Sequence, residues 1–127
     1  MTTDDQVTIL VAEDDGRLRA LLADLLERDG HRVLQAADGI RMVRLLAEEE
    51  VDALLLDVTF GTDDGISLGR ELRHERPELP IVLLTDEGTV AETATRASGV
   101  TDIFLETPFR REELRATLEE LLHRGSR

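Results

Sequence analysis

"LLLDVT", residues 54–59, places three leucines directly before an aspartate. A short, continuous apolar run of this kind is typical of a strand that is buried on both faces of a parallel sheet. Asp57 then stands at the carboxyl end of the most apolar strand in the chain. Because burying a carboxylate without a partner is costly, we expect other groups of the chain to meet Asp57 at this end of the strand.

The sequence on either side of this stretch alternates between strand and helix patterns. Short apolar runs predict five strands, at residues 7–13, 32–36, 52–57, 80–85 and 102–106. Helical spacing predicts five helices, at residues 17–30, from Asp38-Gly39 onwards, from a turn at 63–65 to Pro77, at 89–99 and at 110–124. The alternation predicts an α/β fold with a doubly wound, five-stranded parallel sheet. The common strand order, 2-1-3-4-5, places ligands at the carboxyl ends of the first and third strands.

Helical periodicity also predicts which side chains face the core. In the first helix these are Leu18, Leu21, Leu22, Leu25 and Leu26, with Gly30 suited to the end of the helix. In the second helix they are Ile40, Val43 and either Leu45 or Leu46, and in the last they are Leu114, Leu118, Leu121 and Leu122. The fourth helix is rich in Ala and Thr, so we expect it to bury little apolar surface and to be the most easily moved.

Composition and charge exclude several classes of protein. The 127 residues fit a single domain, and no apolar run approaches the ~20 residues that span a bilayer. The chain has no cysteine and no apolar secretion signal, so a cytoplasmic location is the expectation. The net charge of −13 repels nucleic acid and anionic membranes, and neither is expected as a partner. All 15 basic residues are arginine, so the chain has no lysine.

Polar side chains collect where three neighbouring strands end. Glu13 and Asp14 follow the first strand, Asp57 ends the third and Thr85 ends the fourth. Adjacent strands lie ~4.8 Å apart, so three carboxylates and a hydroxyl converge on one cleft. Crowded carboxylates have raised pKa values unless a cation neutralises them. Oxygen ligands without Cys or His favour a hard ion, and Mg²⁺ is the usual one.

Simpler interpretations apply to other acidic residues after strands. Asp15 and Asp38 are expected to do no more than cap the helices that follow them. The chain also lacks a glycine-rich phosphate loop of the GxGxxG or GxxxxGK type, which argues against nucleotide binding.

Four segments, "ILVAEDD", "LLLDVTFGTDDG", "IVLLT" and "TPF", resemble the receiver (response-regulator) domain of two-component signalling. The resemblance covers about residues 7–122 and implies one receiver domain over residues 1–127, with a flavodoxin-like (βα)5 fold. It implies that Mg²⁺ is bound by Glu13, Asp14, Asp57 and the backbone carbonyl of Thr59.

The resemblance also implies a role in signalling rather than in enzymatic turnover. In the family, the aspartate at the position of Asp57 accepts a phosphoryl group from a histidine kinase or a phosphotransfer protein. The Thr85 hydroxyl then moves to the phosphoryl group and Phe104 turns inward. This movement reshapes the face formed by the fourth helix, the fifth strand and the fifth helix. A downstream partner protein reads that face, and a second copy of the chain is a further candidate to bind it.

One position departs from the family pattern. Receivers almost always carry a lysine just before a Pro-Phe dipeptide, and in "LETPF" that place belongs to Thr107, or to Glu106 if the register slips by one residue. A threonine side chain cannot reach across the ~10 Å between the fifth and third strands. Arg110 and Arg111 follow the dipeptide and are not expected to compensate. Asp86, where receivers usually have a small residue, adds further negative charge.

The sequence therefore leaves two functions open. The first is a receiver that still binds Mg²⁺ and accepts a phosphoryl group on Asp57, with a weakened switch. The second is a pseudo-receiver, an interaction module that works without phosphorylation. A third function, a phosphatase that uses an aspartyl phosphate, is disfavoured because "DVTFGT" lacks a second aspartate two residues after the first.

Overall fold

The computed structural model describes residues 6–125, with side chains as far as His123. The predicted domain of residues 1–127 therefore extends outside the described residues at both ends. The strands are β1 (Thr8–Ala12), β2 (Arg32–Ala36), β3 (Ala53–Asp57), β4 (Thr59–Phe60), β5 (Asp63–Asp64), β6 (Ile81–Asp86) and β7 (Phe104–Thr107). The helices are α1 (Gly16–Arg28), α2 (Gly39–Glu48), α3 (Gly65–Glu75), α4 (Val90–Arg96) and α5 (Arg111–Gly125).

Five of the strands form one parallel sheet in the order β2-β1-β3-β6-β7. Counted within this sheet alone, the order is 2-1-3-4-5, so the predicted doubly wound fold is confirmed. The register pairs Asp57 with Leu84 and Thr85 with Glu106. Strands β1, β3 and β6 are therefore neighbours, and their carboxyl ends lie side by side.

The core lies on both faces of the sheet, and β3 contributes to each. Leu54 and Leu56 pack with side chains of α2 and α3, whereas Leu55 packs on the other face with side chains of α1 and α5. All three leucines are at most 1% exposed. The expectation of a strand buried on both faces is confirmed.

The helix faces were predicted less well. In α1, Leu22 and Leu26 are buried and Leu18 and Leu25 are partly buried, but Leu21 is 48% exposed. In α2, the inward prediction for Ile40 and Val43 is wrong, since these side chains are 76% and 54% exposed. The buried residues of α2 are Met42, Leu45 and Leu46. Apolar side chains occur around most of this helix, so its sequence is compatible with two inward faces and the structure buries one of them.

Several element boundaries also differ from the prediction. The stretch 63–65 is the short strand β5 followed by the first residue of α3, because Asp63–Asp64 pairs with Thr59–Phe60 in an antiparallel hairpin. Helix α4 is shorter than predicted, and Thr93 is its one buried residue. Its thin inner face agrees with the expectation for the fourth helix. No helix within residues 6–125 combines the length and the hydropathy needed to cross a membrane.

Candidate acidic site at the carboxyl edge of the sheet

Three carboxylates meet at the ends of β1 and β3. Glu13, Asp14 and Asp57 each offer an oxygen, and these oxygens lie within 4.8 Å of one another. Glu13 is 1% exposed, Asp57 is half-buried and Asp14 is exposed. The strand order alone explains the convergence, since β1 and β3 are adjacent and parallel.

Glu13 is the most perturbed group of this cluster. Its Oε2 accepts a hydrogen bond of 3.0 Å from the Asp15 backbone N–H, while Oε1 is buried and has no hydrogen-bond partner among the described residues. The pKa of Glu13 is raised from 4.5 to about 8. Burial is the largest cause; Asp57 and Asp14 also raise this pKa, and the hydrogen bond from the Asp15 backbone N–H lowers it. Without a cation, Glu13 is therefore largely protonated at neutral pH.

The local backbone holds Asp57 in a defined orientation. Its Oδ1 accepts hydrogen bonds from the Thr59 backbone N–H at 2.8 Å and from Thr59 Oγ1 at 3.2 Å. Gly65 packs so closely behind this segment that a Cβ there would overlap the Asp57 carbonyl group. The glycine of the "DDG" stretch thus allows α3 to begin against the end of β3. Sequence reasoning read it only as a turn residue.

Asp15 and Asp38 act as the helix caps that the sequence suggests. Asp15 Oδ1 accepts hydrogen bonds from the backbone N–H groups of Arg17 and Leu18, and Asp38 Oδ1 accepts one from Arg41. These contacts satisfy backbone donors at the first turns of α1 and α2. Neither residue belongs to the three-carboxylate cluster.

Thr85 lies beside the cluster, one residue beyond the partner of Asp57 on β6. It is 2% exposed, and its Oγ1 forms no hydrogen bond within residues 6–125. A buried hydroxyl without a partner is uncommon, because desolvation of the group is then uncompensated. Phe104, on β7, is half-buried and packs against the apolar core between the sheet and helices α2 and α3.

The position expected to hold a lysine is occupied by Thr107, which precedes Pro108 through a cis peptide bond. Thr107 Oγ1 donates a hydrogen bond of 3.3 Å to the Thr85 carbonyl. Its neighbour Glu106 accepts a hydrogen bond of 3.0 Å from the Gly88 backbone N–H, in the loop between β6 and α4. Strand β7 thus contacts β6 through Thr107 and the loop through Glu106, and neither of these two residues is a cation. Sequence reasoning missed the Glu106 contact, and no motif marks it.

The arginines near the site do not replace that lysine. Arg110 pairs with Glu113, and Arg111 pairs with Asp29, in both cases away from Asp57, as expected. Arg19 reaches the site from α1, where its Nη1 donates a hydrogen bond of 2.9 Å to the Glu13 carbonyl. The sequence could have suggested this contact, because Arg19 lies in the first turn of the helix that follows the acidic pair. Asp86 is exposed at the end of β6.

A comparison with known proteins identifies the family. Residues 9–119 match the family model of the response regulator receiver domain. This chain is a response-regulator receiver domain. The predicted resemblance is therefore confirmed over most of the chain, and the cluster of Glu13, Asp14 and Asp57 lies within the matched residues.

Two mycobacterial relatives are longer than this receiver domain. It is 38% identical to the transcriptional regulatory protein TcrA of Mycobacterium tuberculosis (strain ATCC 25618 / H37Rv) over 119 residues, which are 94% of this chain and 47% of TcrA. It is also 38% identical to the response regulator MprA of Mycobacterium sp. (strain KMS), over 94% of this chain and 52% of MprA. The chain thus spans about half the length of these relatives.

Solved receiver structures share the fold. The receiver domain of NtrX from Brucella abortus superposes with a TM-score of 0.85 at 26% identity, covering 91% of this chain and 98% of the other. A putative response regulator from Chloroflexus aurantiacus J-10-fl gives a TM-score of 0.86 at 26% identity, covering 94% and 99%. The receiver fold therefore accounts for nearly all of the described residues.

Proposed function

We propose that this receiver domain accepts a phosphoryl group on Asp57 and relays the event to a partner protein in two-component signal transduction. The observation that carries the proposal is the meeting of three carboxylate oxygens within 4.8 Å at the end of a fully buried strand. The unpartnered hydroxyl of Thr85 beside them supports it. A group that arrives at Asp57 would find both an acidic cation site and a free hydrogen-bond donor.

The residues of the cluster fit a Mg²⁺ ion. Glu13 Oε1 is buried without a hydrogen-bond partner in the described chain, which is the environment that a bound cation would satisfy. The ligands we propose are Glu13, Asp14, Asp57 and the backbone carbonyl of Thr59, all of which offer the oxygen atoms that Mg²⁺ prefers. When bound, Mg²⁺ offsets the charge of the carboxylates and of the phosphoryl oxygens.

The chemical step uses a carboxylate oxygen of Asp57 as the nucleophile. It forms a bond to phosphorus as the bond between phosphorus and the donor's leaving atom breaks, and an acyl phosphate results. The leaving atom is an imidazole nitrogen when the donor is a histidine kinase or a phosphotransfer protein. The two hydrogen bonds from Thr59 fix one oxygen of Asp57, and buried leucines hold its backbone. Both features orient the nucleophile before the donor arrives.

The relay would begin at Thr85. Its hydroxyl has no partner in the unphosphorylated protein and can donate to a phosphoryl oxygen on Asp57, so the phosphorylated state would gain a hydrogen bond. We propose that Phe104 responds and that the face of α4, β7 and α5 changes with it. The downstream partner, or a second copy of the chain, binds this face. The domain acts as a cytoplasmic signalling element rather than as an enzyme, and its charge of −13 disfavours nucleic acid and membranes as direct partners.

A second candidate function follows from the end of β7. Thr107 forms a hydrogen bond with Thr85, and Glu106 forms one with Gly88. Thr107 occupies the position at which a lysine would stabilise the phosphorylated state. The hydrogen bond between Glu106 and Gly88 holds the β6–α4 loop against β7, and the one between Thr107 and Thr85 joins β7 to β6. They favour the pseudo-receiver hypothesis, in which the domain binds partners without phosphorylation.

Amide NMR spectra distinguish the two functions. We expect acetyl phosphate with Mg²⁺ to shift the resonances of Thr85, Phe104 and residues 90–97 in the wild type. Asp57→Asn keeps the shape of the side chain and removes the nucleophile, so its spectrum should not change. If the wild-type spectrum is equally unchanged under conditions in which Mg²⁺ binds, the pseudo-receiver hypothesis is correct.

A further inference from the structure

Helix α2 exposes apolar side chains that a core helix would normally bury. Ile40 is 76% exposed and Val43 is 54% exposed, and they are two of the three large hydrophobic side chains that are exposed within the described chain. The third, Leu21, lies on α1. Two exposed hydrophobic side chains one helical turn apart form a contiguous stripe rather than scattered surface residues.

The geometry of the helix places this stripe opposite the core. At 100° per residue, the side chains of Ile40, Val43, Arg44 and Ala47 fall within an arc of about 100°, and we call this set the α2 outer face. The buried side chains of α2 are Met42, Leu45 and Leu46, on the opposite side of the helix. All four residues of the α2 outer face are exposed. A second apolar stripe on a helix that already packs on the core indicates a surface with a partner.

Two unpaired arginines lie beside the stripe, and the exposed Glu48 follows them at the end of the helix. Arg41 and Arg44 are exposed, and neither side chain forms an ion pair or a hydrogen bond within residues 6–125. Most arginines of the described chain do form such contacts, as Arg19, Arg73 and Arg115 do. Since the chain has a net charge of −13, two unpaired cations on one helix stand out from the rest of the surface.

We propose that the α2 outer face docks an amphipathic helix of a partner protein, with acidic residues flanking its apolar side chains. Ile40 and Val43 would contact the apolar side chains, and Arg41 and Arg44 would meet the acidic ones. This is the helix-on-helix mode of recognition, with anchors spaced three or four residues apart. The proposal does not depend on phosphorylation of Asp57.

A second copy of the chain fits this face poorly. Two copies would each bring a charge of −13, and the symmetric contact would place the same arginines against one another. A stable homodimer buries about 800 Å² per partner, which four side chains of a ten-residue helix cannot supply alone. The small area of the α2 outer face suits a transient complex with a partner of complementary charge.

The position of α2 keeps this face separate from the proposed relay face. Helix α2 contacts β2, at one edge of the sheet, whereas β7 forms the opposite edge. A helix bound to the α2 outer face would leave α4, β7 and α5 accessible. The receiver domain could therefore hold one partner at α2 while it presents the other face to a second.

Two synthetic helical peptides test the proposal on the full 127-residue chain. They share one apolar pattern of leucines three and four residues apart, with glutamate beside the leucines in one peptide and lysine in the other. We expect the glutamate peptide to shift the amide resonances of residues 40–47. The Ile40→Gln, Val43→Gln double variant and the Arg44→Glu variant should each weaken its binding by about tenfold.

The matched control is Arg17→Glu, which makes the same charge change at another exposed, unpaired arginine. Arg17 lies on α1, which packs on the opposite face of the sheet from α2. This variant should bind the glutamate peptide as the wild type does. Glutamine is a good helix former, so the exposed substitutions in α2 should leave the melting temperature unchanged and the comparison valid.

Three results would overturn the proposal. The first is the absence of binding by the glutamate peptide, and the second is equal binding by the lysine peptide. The third is a concentration-dependent dimer, seen by sedimentation and lost in Val43→Gln, which would assign the α2 outer face to a second copy of the chain.

Discussion

Loss of the proton from Glu13 should make the metal-free domain less stable as the pH rises. Its pKa is raised from 4.5 to about 8, first by burial and then by the Asp57 carboxylate. The folded state therefore retains a proton that the unfolded state releases. The stabilising contribution is complete below pH 4.5 and is lost as the pH rises to about 8. A difference of about 3.5 in pKa corresponds to at most about 5 kcal/mol.

Urea unfolding in EDTA between pH 5 and 8.5 measures this contribution. The Glu13→Gln variant cannot titrate at this position, so its free energy of unfolding should lack most of the downward slope of the wild type. Asp24→Asn, at an exposed acid on α1, should retain that slope. Millimolar Mg²⁺ should also reduce the slope in the wild type, because a bound cation favours the ionised form of Glu13. If wild type and Glu13→Gln show parallel profiles in EDTA, Glu13 ionises normally and the description of the cluster is wrong.

Three further predictions concern the surroundings of the site. Gly65→Ala should destabilise the domain by roughly 1–3 kcal/mol, because the new Cβ would lie 2.9 Å from the Val58 Cα. In the control Gly16→Ala, the nearest atom to the new Cβ is 3.8 Å away, so this variant should unfold at the same urea concentration as the wild type. The double variant Thr107→Lys, Asp86→Ala should show larger amide shift changes at residues 90–97 on addition of acetyl phosphate. A gain of about 1.4 kcal/mol for the switched state changes the ratio of switched to unswitched molecules tenfold. Unchanged shifts would show that a missing lysine is not what weakens the switch. Asp29→Asn should lower the melting temperature above pH 4, because the hydrogen bond from Arg115 lowers the pKa of Asp29 below 3.8 and the ionised carboxylate stabilises the fold. This stabilisation is lost as the pH falls through the lowered pKa, so wild type and variant should melt at the same temperature in more acidic buffer. A difference in melting temperature that stays constant at all pH values would contradict this.

The sequence predicts the sheet and the acidic cluster well because both follow from strong, local patterns. Continuous apolar runs mark the strands, and the strand order then brings Glu13, Asp14 and Asp57 together without any knowledge of side-chain contacts. The burial of Glu13 was not predicted: the sequence indicates crowding of the carboxylates as the cause of a raised pKa, whereas burial is the main cause in the structure. The helix caps Asp15 and Asp38 were also predicted correctly, because capping depends on residues only a few positions apart in the sequence.

The failures lie where several arrangements satisfy the same pattern. The apolar side chains of α2 surround the helix, so periodicity alone could not choose between Ile40 with Val43 and Met42 with Leu46 as the buried pair. The contact between Glu106 and Gly88 joins β7 to the β6–α4 loop and depends on backbone positions that no local pattern encodes. The role of Gly65 likewise depends on how closely α3 approaches β3, which only the packed structure shows.

The central claim, that Asp57 is a phosphoacceptor, is tested most directly by the intact mass of the protein after incubation with acetyl phosphate. We predict a gain of about 80 Da in the wild type when Mg²⁺ is present, carried by the peptide that contains Asp57. EDTA or the Asp57→Asn substitution should abolish the gain. A wild-type mass that stays unchanged with Mg²⁺, or a gain that survives in Asp57→Asn, would contradict the claim.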